Sequence, residues 1–172
     1  MSFSMYSSSI PVFVRYLDNL SAILAKGATH ASEEDIDGAI LVSGRLYPNM
    51  FPLSRQVQIA CDVVKGAAAR LSGVEAPKFE DNEASFEELQ SRISNTIEYL
   101  NSVPEDKING TEDKEIKMQA GPNELEFIGS DYLTLWALPN LYFHVTTTYN
   151  ILRHNGVELG KMDFLGAQKG LS

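Results

Sequence analysis

The stretch LSRQVQIACDVVKGAAARLS, residues 53–72, sets the fold class. Val57, Ala60, Val64, Ala67 and Leu71 recur at steps of three and four, which lays them along one face of a helix. These side chains are small, so a neighbouring helix can approach closely. Gly73 follows the last of them and ends the helix.

Helical stripes flank this segment on both sides. Upstream, Ile10, Phe13, Leu17, Leu20 and Leu24 predict a helix over residues 10–26, with Ser9 as N-cap, Pro11 in the first turn and Gly27 as the stop. Residues 28–52 read as a connector broken by Gly38, Gly44, Pro48 and Pro52, with a helical turn starting at Ser32 through Asp35. At about 20–25 residues it exceeds an ordinary loop, so it packs on the body or carries function. Downstream, residues 75–82 are a polar connector containing Pro77. Phe86, Leu89, Ile93, Ile97 and Leu100 then predict a third helix over residues 84–101, closed by Pro104. Residues 115–119 and 124–128 alternate apolar and polar around Gly121-Pro122-Asn123, a β-hairpin pattern. The last long helix covers residues 138–153, with room for a helical turn from Ser130, Pro139 as an early residue or a kink, and Asn155-Gly156 as the end. The tail carries Leu159, Met162, Phe164 and Leu165, is expected to fold back once, and frays from about residue 166. The expected fold is all-α: a four-helix bundle forming one domain over residues 1–172, with a long connector after helix 1 and a small β-hairpin before helix 4.

Composition removes several functions. The chain has 172 residues, 44% hydrophobic and 22% charged, which excludes wholesale disorder and collagen. Lys+Arg number 14 against 23 Asp+Glu, a net charge of -9, so no basic footprint exists for nucleic acid or anionic lipid. Cys61 is the single cysteine, which excludes an internal disulfide and a Cys-rich zinc site. Apolar runs fall short of the roughly 18 residues of a membrane span. The start, MSFSMY, has neither the basic nor the apolar region of a signal peptide. The expectation is a cytoplasmic, reduced protein.

The histidines are His30, His144 and His154. Three would suffice for an open metal site. His144 and His154 lie ten residues apart on one predicted helix, a rise of about 15 Å, whereas ligands of one metal sit within about 4 Å of each other. They do not share a metal unless the helix breaks, and His30 reads as an exposed loop residue. His144, Thr147, Thr148 and Ile151 share a face. In one reading the threonines bond back to helix carbonyls and His144 is a satisfied core residue. In the other, His144 faces a cavity as a general base or ligand-binding group. Arg55, Gln58 and Asp62 align on their helix, with Arg55 suited to a carboxylate partner. Cys61, among Ala and Val, reads as a small buried hydrophobe. Tyr132, Trp136, Tyr142, Phe143 and Tyr149 read as core and interface, because no basic residues interleave with them as on a stacking platform. No phosphate-binding glycine loop, nucleophile elbow or Glu-x-x-His pair is present.

Two blocks carry a resemblance. The first is RLYPNMFPL at 45–53 running into RQVQIA at 55–60. The second is LPNLYFHVTT at 138–147, Tyr149, ILRHNGV at 151–157, LGK at 159–161 and DFLG at 163–166. Together they closely resemble a bacterial family catalogued as a domain of unknown function, a branch of the DinB-like superfamily of metalloenzyme-type bundles. The resemblance covers nearly the whole chain. It implies a DinB-like bundle, often dimeric, in a superfamily with metal-dependent thiol transferases and isomerases. The usual metal site there takes one histidine from the second helix and a His-x-x-x-His pair from the last. His154-Asn155-Gly156 falls where the superfamily has His-Arg-Gly, which puts Asn150 at the first histidine of the pair. The second helix has no histidine, so Gln56, Gln58 or Asp62 would have to substitute. At most one of three ligands survives.

The expected function is therefore small-molecule binding or protein interaction without cofactor, at His144, Arg55, Gln56 and Thr148. The alternative is a hydrolase or transferase with a non-standard site for a divalent metal such as Zn or Ni, with His154 as its candidate ligand. A third reading is a structural dimer. The expected partners are a second copy of the chain and a small molecule, with neither nucleic acid nor membrane.

Overall fold

In the computed structural model, which describes residues 3–166, the helix over residues 53–72 lies at the centre of a mostly helical fold. Helix α1 spans Ile10–Glu33, α2 Gly38–Val42, α3 Leu53–Ser72, α4 Phe86–Ser102 and α5 Glu105–Ile108. Strands β1 (Glu115–Ala120) and β2 (Asn123–Ile128) follow. Helix α6 (Gly129–Asp131), a π-helical turn (Tyr132–Ala137) and α7 (Leu138–His154) then run on from one another, and α8 is Lys161–Leu165. Helix α3 packs on α7 and α4, and α1 packs on α4 and α7. The buried faces of these helices form one continuous apolar cluster. Among the described residues no helix is long and apolar enough to cross a membrane.

The stripe of α3 is buried as its spacing predicts, and Gly73 ends the helix in the left-handed conformation, φ 78°. Helix α4 begins at a reciprocal cap: Ser85 Oγ accepts from the Glu88 N–H at 3.2 Å and Glu88 Oε2 accepts from the Ser85 N–H at 3.1 Å. The hairpin is antiparallel with Ala120 opposite Asn123. Asn123 therefore belongs to β2, and the turn is Gly121-Pro122 alone.

Helix α1 departs from expectation. It passes through Gly27 and ends at Glu33. A Cβ at position 27 would lie 3.1 Å from both the Phe86 ring and Leu152, so this glycine lets three elements meet instead of stopping a helix. Ser32 and Glu33 are consequently the end of α1, not the start of a turn, and Asp37 caps α2 by accepting from the Ala39 N–H at 2.9 Å. Ser9 does not cap α1 with its side chain; its Oγ donates to the Met5 carbonyl at 2.7 Å.

The stretch before α7 is helical, as its sequence allows, but wound with an extra residue. The Leu138 N–H reaches back five residues to the Leu133 carbonyl. Pro139 follows with no N–H to give, and the Asn140 side chain donates to the Trp136 carbonyl at 2.7 Å. Phe127 of the hairpin packs on this turn, 5.9 Å from the Tyr132 ring and 6.0 Å from Trp136. The tail folds back on α1: Asn19 donates to the Phe164 carbonyl at 2.9 Å and Lys26 pairs with Asp163 at 2.7 Å. The expected fraying of the last residues lies outside the described residues.

Arg92 fastens the connector between α3 and α4. Its side chain is 2% exposed and meets Glu83 at 2.8 Å and both Asp62 and Asp81 at 3.0 Å. Burial alone would raise the Asp81 and Glu83 carboxyls, but Arg55 and Arg92 beside Asp81, and Arg92 with Gln58 beside Glu83, outweigh it and hold both below their usual range. Removing the cation leaves these carboxylates uncompensated. Arg92→Met is expected to cost about 3 kcal/mol in urea unfolding at neutral pH. Groups with depressed folded values stabilise above their ordinary pKa and lose that effect as pH falls through the folded value. The deficit is therefore expected to shrink in acid below the ordinary values of 3.8 and 4.5, and a deficit independent of pH would contradict this account.

Candidate functional site

Gln56 stands in the first turn of α3 and His144 in the second turn of α7, on facing helices. The His144 Nδ1 and Gln56 Oε1 are 2.7 Å apart, and both residues are buried. The Gln56 Nε2 donates to the Phe51 carbonyl at 3.1 Å. A carbonyl only accepts, so the amide orientation is settled and Oε1 faces the ring. Nδ1 of His144 must then carry the hydrogen, and Nε2 presents its lone pair. Among the described residues Nε2 has no hydrogen-bond partner, and it is not a fully enclosed atom.

Burial, and after it the positive charge of Arg55, lowers the His144 pKa from 6.5 to about 4. The imidazole is neutral at physiological pH and acts as a hydrogen-bond acceptor at Nε2. The Phe143 ring stands edge-on to it at 5.2 Å and is itself 57% exposed. Phe51 and Tyr47 are also exposed.

The other expected residues separate. Arg55 takes a carboxylate partner, Asp81, and also donates to Gln58 at 3.1 Å. Thr148 turns back on its own helix, donating to the His144 carbonyl at 3.0 Å, and Thr147 does the same to Phe143 at 2.7 Å. His154 is exposed at the end of α7. His30 is not a loop residue: the longer α1 includes it in the last turn, half-buried, where a Cβ on Gly156 would lie 3.5 Å from its ring. Cys61 is fully buried, and burial pushes its thiol up to about 12, as suits a packing residue.

The positions that would supply a superfamily metal site do not fit one. Asn150 and His154 are exposed, Gln56 is held by His144 and Phe51, and Gln58 is held by Arg55 and Glu83. Asp62 pairs with Lys65 at 2.9 Å and Arg92 at 3.0 Å. Among the described residues no three His, Cys, Asp or Glu side chains gather as a ligand set.

The family described as "domain of unknown function (DUF1993)" matches residues 5–165. The chain belongs to the DUF1993 family. A crystal structure of a DinB family member protein from Shewanella denitrificans is 39% identical to this DUF1993 chain, covers 97% of it and 94% of its own length, and superposes with a TM-score of 0.87. No curated protein matches the chain. The resemblance carried by residues 45–60 and 138–166 is borne out at the level of family and fold. Sequence reading missed the Phe51 carbonyl that orients Gln56, because nothing in a residue's identity marks its backbone oxygen. It also missed Arg92, whose partners are scattered over α3 and the following connector.

A histidine with a depressed folded pKa takes up protons more readily when unfolded, so stability falls as pH drops from 6.5 to about 4. The loss is expected to reach up to about 3 kcal/mol, one pH unit corresponding to about 1.4. Urea unfolding across that range is expected to show the slope in wild type and not in His144→Gln.

Proposed function

We propose that this DUF1993 protein is a small-molecule-binding protein whose polar contact is the Nε2 of His144. The 2.7 Å contact between His144 Nδ1 and Gln56 Oε1 carries the reading. It holds the ring in one tautomer with its acceptor on the unpartnered side, beside the positive charge of Arg55. Such a site suits a small polar ligand that donates a hydrogen bond, with Phe143 flanking it. Gln56 is the positioning residue, Arg55 adds its charge, and Thr148 bonds back to the His144 carbonyl within α7. We take α1, α3, α4 and α7 as a DinB-like four-helix bundle in one domain, acting in the cytoplasm without nucleic acid or membrane. The exposed aromatic rings of Tyr47, Phe51 and Phe143 favour a second, compatible reading, a homodimer that covers them.

Histidine-selective NMR during a screen of small polar compounds tests the proposal. A hit is expected to shift the His144 ring signals and to be lost in His144→Gln with the fold intact. Hits that leave His144 unmoved would refute it. So would stoichiometric zinc or nickel in untagged protein that disappears in His154→Ala, the mark of the metal-dependent alternative.

A further inference from the structure

We propose that a second site, a recess between the N-terminal segment and the π-helical turn, binds a small amphipathic amine. The recess encloses about 470 Å³, within the roughly 300–1,000 Å³ of small-molecule sites. Met5, Val12, Leu133 and Leu138 give it apolar walls. The extra residue in the helix makes this wall. Residues five apart in an α-helix stand about 140° apart, whereas the bond from the Leu138 N–H to the Leu133 carbonyl brings these two leucines to the same side.

Three polar groups on the wall remain available: the hydroxyls of Tyr142 and Ser130 and the carboxylate of Glu112. Thr134 and Ser8 give their hydroxyl hydrogens to backbone carbonyls, of Ser130 at 2.8 Å and Ser4 at 2.6 Å. Tyr142 has no hydrogen-bond partner among the described residues, and burial raises its pKa, so its hydroxyl stays protonated. Glu112 is the one charged residue lining the recess, and among the described residues its carboxylate has no ion-pair partner. An apolar cavity with a single carboxylate, on a chain of net charge -9, selects a cation over an anion. An ammonium group meets Glu112 while a hydrocarbon body covers Leu133 and Leu138. Tyr142 and His144 stand about 200° apart around α7, so the recess is separate from the His144 site and does not depend on that reading.

The test is an NMR titration of the full chain at neutral pH with octylamine, octanol and octanoate, each below its aggregation concentration. Octylamine is expected to shift the amides of Leu133, Leu138 and Tyr142, and octanoate to bind roughly fivefold more weakly or less. Glu112→Gln is expected to weaken octylamine by roughly fivefold and leave octanol unchanged. This residue is exposed, so the variant folds. Val12→Trp fills the recess and is expected to abolish binding; Thr134→Trp, on an exposed position, serves if that variant does not fold. Equal affinity for octylamine and octanol in wild type, shifts confined to other residues, or no binding by any probe would overturn the proposal.

Discussion

Close contact between α3 and its neighbours is the constraint on which the rest of the structure depends. Ala60, Val64 and Ala67 are fully buried, and their small volume lets α7 and α4 come close on either side. That approach brings the first turn of α3 against the second turn of α7. It places Gln56 within 2.7 Å of His144 and leaves Arg55, one residue earlier, turned toward Asp81. Larger residues on the stripe would separate the helices and undo the contact. Gly27 does the same service for α1, which meets Phe86 and Leu152 where an added Cβ would lie only 3.1 Å from each.

The family scaffold and the chemistry of the site are separable. The DinB family structure from Shewanella denitrificans shares the fold at 39% identity, and between α3 and α7 of this chain an amide and a histidine are in direct contact. An imidazole pushed to a pKa of about 4 by burial is a neutral acceptor, not a shuttle poised near neutrality. A fold of this kind hosts different activities, and the site residues decide among them.

Much of the helical framework was legible because its signals are local. The stripes of α3 and α4 and the hairpin alternation depend only on residue spacing. The extent of α1 was not, because glycine reads as a helix stop unless its packing partners are known. The π-helical turn was hidden for a related reason: Pro139 marks a disturbance but does not say whether the chain kinks, breaks or inserts a residue. Of the residues named from the sequence, His144 and Gln56 come into contact, whereas Arg55 turns to Asp81. Thr148 was assigned to a ligand, whereas its hydroxyl bonds the carbonyl four residues back, the habit of threonine inside helices.

The sequence by itself determined the main helical stripes, the hairpin and the family, since spacing and residue order are properties of the chain alone. Only the tertiary structure decided which nitrogen of His144 bears the hydrogen, because that depends on the Phe51 carbonyl holding Gln56 across space. It alone decided that Arg92 locks the connector, and that Leu133 and Leu138 share one wall of a recess. These arrangements rest on groups distant in sequence or on a backbone winding that residue identity does not encode.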